Sequence, residues 1–76
     1  MNARPHTELL REGQYIAEVD VELLHEDEST GPGWGPYFSF ADAQKLQAVR
    51  RALRDDKLGD AMKLARVYRI TPVSAA

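Results

Sequence analysis

The stretch Gln14–Leu24, QYIAEVDVELL, alternates strictly. Tyr15, Ala17, Val19, Val21 and Leu23 fall on one side, and Glu18, Asp20 and Glu22 on the other. A period of two, with β-branched residues on one side, predicts a strand with one face buried and one face wet. The rest of the chain must supply the cover for that apolar face.

The helical signal that answers it follows Ser39. Ser39 and Asp42 have the spacing of a capping box, with Asp as a shorter partner than Glu. From there to about Arg54, Leu46, Val49 and Leu53 recur at helical spacing, with Ala43 and Ala52 beside them. Gln44, Gln47, Ala48 and Arg51 are expected to point outward. Arg50, Arg51 and Arg54 lie within roughly 100° of arc on the wet side and form a candidate basic patch.

Asp55-Asp56 is expected to break this helix, with Asp56 as N-cap of a second, shorter one. Leu58, Ala61, Met62 and Leu64 supply its apolar positions, while Gly59 weakens it by about 1 kcal/mol against alanine. Arg66–Thr71, RVYRIT, alternates again and predicts a last strand at a sheet edge, ended by Pro72. Its phase is open. With Tyr68 and Ile70 inward, Arg69 projects beside the acidic stripe of the first strand and pairs with it. The opposite phase places Arg66 and Tyr68 outside.

Between the first strand and the helix lies a polar, glycine- and proline-rich connection, from His25 to Pro36. Tyr37-Phe38 reads as a short strand antiparallel to the first. Consecutive residues of the run His25–Glu28 point in opposite directions on an extended chain, which argues against a metal site. The Gly31–Gly35 stretch, GPGWG, lacks the lysine and hydroxyl residue of a phosphate loop. Trp34, the only tryptophan, either folds back as a lid on the core or offers an aromatic anchor to a partner.

Residues 1–12, with Pro5 and mixed polarity, read as a loose tail, and His6 as a solvated residue within it. The expected order is therefore β-β-α-α-β. It gives one small α+β domain over residues 1–76 with its folded core at about 14–72. A three-stranded, mostly antiparallel sheet carries two helices on one face, with the strand Tyr15–Leu24 in the centre.

At 76 residues the chain buries only roughly 60% of its unfolded surface, so its stability is marginal. It has no cysteine, hence no disulfide framework, thiolate metal site or thiol nucleophile. Met1–His6 lacks the apolar core of a signal peptide, and no apolar run approaches the ~18 residues of a transmembrane helix. A cytoplasmic protein with no membrane partner is expected.

Charge is unevenly distributed. Residues 1–40 carry two basic and eight acidic groups, a net of −6. Residues 41–76 carry eight basic and four acidic groups, a net of +4. Such halves can attract each other within one fold or between copies. A weak or moderate homodimer is therefore expected, joined by an edge strand or by the complementary halves.

The runs AEVDVELL, GWGPYFSFADAQKL and VRRALRDDKLGDAMKLARVYRITPV together resemble a family of short bacterial proteins of uncharacterised function. The similarity covers roughly residues 15–73. It implies no activity, cofactor or catalytic residue.

No catalytic or cofactor site is therefore predicted. Glu18, Asp20 and Glu22, spaced about 6.6–6.8 Å along one strand face, resemble glycosidase acid/base pairs in separation. Such pairs need a cleft, which an open sheet face does not give. Ser29, Thr30, Ser39 and Ser74 stand in no recognisable arrangement with histidine. The favoured class is a non-enzymatic protein-interaction module, acting through the open sheet face, an edge strand or the Trp34 loop. Its candidate surface comprises Trp34, Tyr37, Glu18, Asp20, Glu22 and Arg69, and its protein partner is unknown. Nucleic-acid association through the basic C-terminal half is the weaker reading, because the second helix is short and the overall charge is negative.

Overall fold

The computed structural model describes residues 2–25 and 37–74. The chain order is β1 (Asn2–Glu12), β2 (Tyr15–His25), β3 (Tyr37–Phe38), α1 (Phe40–Arg54), α2 (Leu58–Met62) and β4 (Arg66–Arg69). Over the described residues the fold is α+β: an antiparallel sheet with two helices. β2 lies at its centre, as expected from the order of elements. Among the described residues the sheet has four strands rather than three.

The additional strand is β1, so the expectation of a loose tail over residues 1–12 is corrected. β1 pairs with β2 along its whole length, from Asn2↔His25 to Glu12↔Tyr15. Gly13 and Gln14 close the hairpin in two residues, and Gly13 adopts a φ of 60°. A positive φ at the first of two central residues is the pattern of a type II′ turn, whose twist suits a tight hairpin. Pro5 is tolerated because it lies where β1 turns its N–H away from β2. That is the edge position where a missing donor breaks no ladder bond.

β2's other side is shared. β4 pairs with Tyr15–Glu18, and β3 pairs with Leu23 and Leu24. α1 fills the gap between them. The Asp42 carboxylate accepts the Glu22 N–H at 2.9 Å, and the Lys45 ammonium donates to the Asp20 carbonyl at 2.7 Å. Asp42 and Lys45 are three residues apart, so one side of the helix carries both. They occupy the hydrogen-bonding places that a strand would otherwise take.

Ser39 is the N-cap of α1, and its hydroxyl accepts the Asp42 N–H at 3.1 Å. The helix ends in a Schellman motif. Lys57 N–H donates to Ala52 O at 2.8 Å and Asp56 N–H to Leu53 O at 3.2 Å, with Asp56 left-handed at φ 60°. Asp56 therefore terminates α1 instead of capping α2, which corrects its expected role. The N-cap of α2 is Lys57, which makes no side-chain capping bond.

The core sits between the sheet and the helices. Val19 and Val49 are its largest fully enclosed side chains. Val21, Leu46 and Leu53 join them as the periodicities predict, with Leu10 of β1 and the alanines Ala17, Ala52 and Ala61. Tyr15 and Val67 pack partly buried against this cluster. Leu64 does not belong to it: α2 ends at Met62, and Leu64 is 41% exposed. Gln44, Gln47, Ala48 and Arg51 face outward as expected, and Ala43 is exposed with them. Among the described residues, no helix is long and apolar enough to cross a membrane.

Candidate functional site

The central part of the sheet face opposite the helices gathers side chains from β1, β2 and β4. Register fixes which ones. Leu9↔Glu18 and Thr7↔Asp20 come from β1, while Glu18↔Arg66 and Ile16↔Tyr68 come from β4. Residues directly opposite in a ladder share a face, so the even-numbered residues of β2 stand beside Thr7, Leu9, Arg66 and Tyr68.

Arg66 is the hub of this face. Its guanidinium grips Asp20 through two parallel bonds, Nη1 to Oδ2 and Nη2 to Oδ1, each 2.8 Å. Its Nε donates to Glu18 Oε1 at 3.1 Å, and the Tyr68 hydroxyl donates to the same oxygen at 2.7 Å. The Thr7 hydroxyl donates to Asp20 Oδ1 at 3.2 Å. The planar guanidinium fork suits such two-point contact better than an ammonium would.

The protonation equilibria follow from these bonds. The Arg66 guanidinium holds the Asp20 carboxyl well below its ordinary value, at about 2. The Tyr68 hydroxyl, then Arg66, lowers Glu18. The two carboxylates in turn raise Arg66, and Glu18 raises the Tyr68 phenol. Both acids are thus held ionised, Asp20 through both of its oxygens and Glu18 through Oε1. A general acid needs the opposite, a carboxyl raised toward neutral pH in a site that excludes water.

The last strand takes the phase that points Val67 inward. Val67 faces Ala17 in the core, and the Ile70 N–H to Gln14 O bond of 2.6 Å fixes the register. Arg69 therefore does not join the acidic stripe. It lies on the other side of the sheet, with its guanidinium carbon 5.7 Å from the centre of the Tyr15 ring, within cation–π range. Pairing of Arg69 with Glu18, Asp20 and Glu22 is corrected to pairing of Arg66 with the first two. Glu22 is exposed on the same face, and Tyr37 of β3 stands opposite Leu24. Trp34 lies outside the described residues, as do Ser29, Thr30 and the acids Glu26–Glu28.

Arg50, Arg51 and Arg54 are exposed on α1 as predicted, and Arg54 reaches Glu12 of β1 at 3.5 Å. Contacts between acidic and basic halves are thus made within one chain, by Arg54 with Glu12 and by Arg66 with Glu18 and Asp20. Comparison with protein-family models, curated proteins and solved structures finds no match. The functional reading therefore rests on the chain's own residues. Among the described residues, no group of three or more His, Asp or Glu side chains could hold a metal ion.

The feature that sequence reasoning missed is the outer edge of β1. Even-numbered residues of β2 direct their backbone groups away from β1, as the bonds at Gln14, Asp20 and Glu22 require. Its odd-numbered residues therefore bond to β1, through Glu8 opposite Val19 and Leu10 opposite Ala17. Thr7, Leu9 and Arg11 then aim N–H and C=O outward. No described residue pairs with them. Their sequence signal was the two-residue Gly13-Gln14 connection between Glu12 and Tyr15.

Proposed function

We propose that this chain is a small non-enzymatic protein-interaction module that binds by strand addition at the free edge of β1. The observation that carries the reading is the run Thr7–Arg11. It offers outward backbone donors and acceptors at Thr7, Leu9 and Arg11, with an exposed leucine in the middle. Unpaired strand edges are templates for another strand, and backbone bonds supply much of the affinity in such complexes. The open sheet face supports the edge instead of competing with it, because Arg66, Tyr68 and Thr7 already occupy its central carboxylates.

Leu9→Pro tests this reading. It removes an outward N–H while leaving the ladder to β2 untouched. A protein captured from cell extract by the wild-type chain, and lost with Leu9→Pro, is the expected result. Capture that is indifferent to Leu9→Pro contradicts edge recognition. Exposed Arg50 and Arg51 favour a second reading, nucleic-acid association. The five residues of α2 are too few for a recognition helix, and Arg54 already has an acidic neighbour. A salt-dependent mobility shift with random duplex DNA would favour that reading over the first.

A further inference from the structure

We infer that the strand added to β1 is β1 of a second copy, antiparallel about a two-fold axis through Leu9, giving one continuous sheet across two chains. The inference rests on the edge-strand reading above and names its partner. Three independent features of the edge select this arrangement.

The first is where proline falls. Outward positions must pair with outward positions, so an antiparallel two-fold through Leu9 sets Leu9 opposite Leu9 of the other copy and Thr7 opposite Arg11. Every one of these residues has an N–H to give. Pro5 falls outside the paired segment, where its missing donor is harmless. An axis through Thr7 instead sets Pro5 opposite Leu9 and loses a bond on each side.

The second is charge. An axis through Glu8 opposes Glu8 with its own copy, which is repulsive. An axis through Leu10 sets Glu8 against Glu12. The axis through Leu9 sets Glu8 against Leu10 and His6 against Glu12, so no like charges meet directly. The edge is therefore self-complementary in one register and frustrated in its neighbours.

The third is exposure. Leu9 is 60% exposed on the open sheet face, opposite Glu18. Placed on the axis, it meets the same side chain of the other copy and both leave water. Cross-strand apolar pairs of this kind stabilise a ladder. The arrangement also replaces the complementary-halves dimer expected from charge, since Arg54 meets Glu12 and Arg66 meets Glu18 and Asp20 within one chain.

Disulfide trapping reads the register directly, because the chain has no cysteine of its own. Residues in a hydrogen-bonded antiparallel pair have Cα atoms about 5.5 Å apart, within reach of a disulfide. Leu9→Cys should form a covalent dimer under mild oxidation. Thr7→Cys alone should not, since its two copies lie roughly 14 Å apart along the strands. A mixture of Thr7→Cys and Arg11→Cys chains should cross-link to each other, which tests the register even if Leu9→Cys folds poorly. Sedimentation equilibrium of the wild-type chain should show a dimer that survives high salt. A monomer at every concentration, or Thr7→Cys cross-linking as readily as Leu9→Cys, overturns the inference. If the chain is monomeric but extract capture still depends on Leu9, self-pairing falls and the interaction-module reading stands.

Discussion

The carboxylate of Asp42 on α1 accepts the backbone N–H of Glu22 on β2 at 2.9 Å. A helix side chain thereby completes a sheet edge that β3 and β4 leave open between them. Asp42→Ala removes this acceptor and a first-turn acid of α1 together. It should lower unfolding stability by about 1–2 kcal/mol, read as a lower urea midpoint with unchanged slope. A midpoint equal to wild type would show that water replaces the carboxylate without loss.

Asp56 holds a left-handed conformation that β-carbon-bearing residues disfavour. Asp56→Ala should destabilise by roughly 1–2 kcal/mol, while Asp56→Asn should be close to neutral. Asp56→Gly relieves the backbone but gives up the contact of the Tyr15 hydroxyl with Asp56 Oδ1 at 3.3 Å. Thermal unfolding of the three variants ranks them. A neutral Asp56→Ala would contradict the Schellman ending of α1.

Core membership is tested by a pair of leucines. Leu53 is 3% exposed, and Leu53→Ala should lower stability by about 2–5 kcal/mol. Leu64 lies outside the core, and Leu64→Ala should stay within about 0.5 kcal/mol of wild type. Equal losses at both positions would place Leu64 in the core.

β2, α1 and their shared core were legible because Val19, Val21, Leu46, Val49 and Leu53 repeat at one clear period each. β1 was not. Its core-side positions include Arg4, His6 and Glu8, while Leu9 faces water, so alternation does not reveal it. Pairing with β2 and the Gly13 turn hold it in place, and Pro5 resembles a breaker until its outward direction is known. The Arg66 network stayed hidden for a related reason. RVYRIT has apolar residues in both phases, and only contact with Ala17 decides for Val67.

Acid should weaken the open-face network. Asp20 has a folded-state pKa depressed to about 2, so the unfolded chain binds more protons across the window above it. The contribution of the Asp20–Arg66 pair is complete above about pH 4 and is lost as pH falls through about 2. Acid unfolding followed by circular dichroism should therefore fall less steeply for Asp20→Asn than for wild type in this window. Parallel curves would mean that the pair does not couple to folding.

Amide hydrogen exchange along β1, measured by NMR over a range of protein concentration, tests the proposed edge most directly. His6, Glu8 and Leu10 bond to β2 and should be protected at every concentration. Thr7, Leu9 and Arg11 should exchange fast in dilute protein and slow together as concentration rises and a second β1 covers them. Fast exchange throughout residues 2–12 would contradict the strand. Fast exchange at Thr7, Leu9 and Arg11 at all concentrations would contradict the shared sheet.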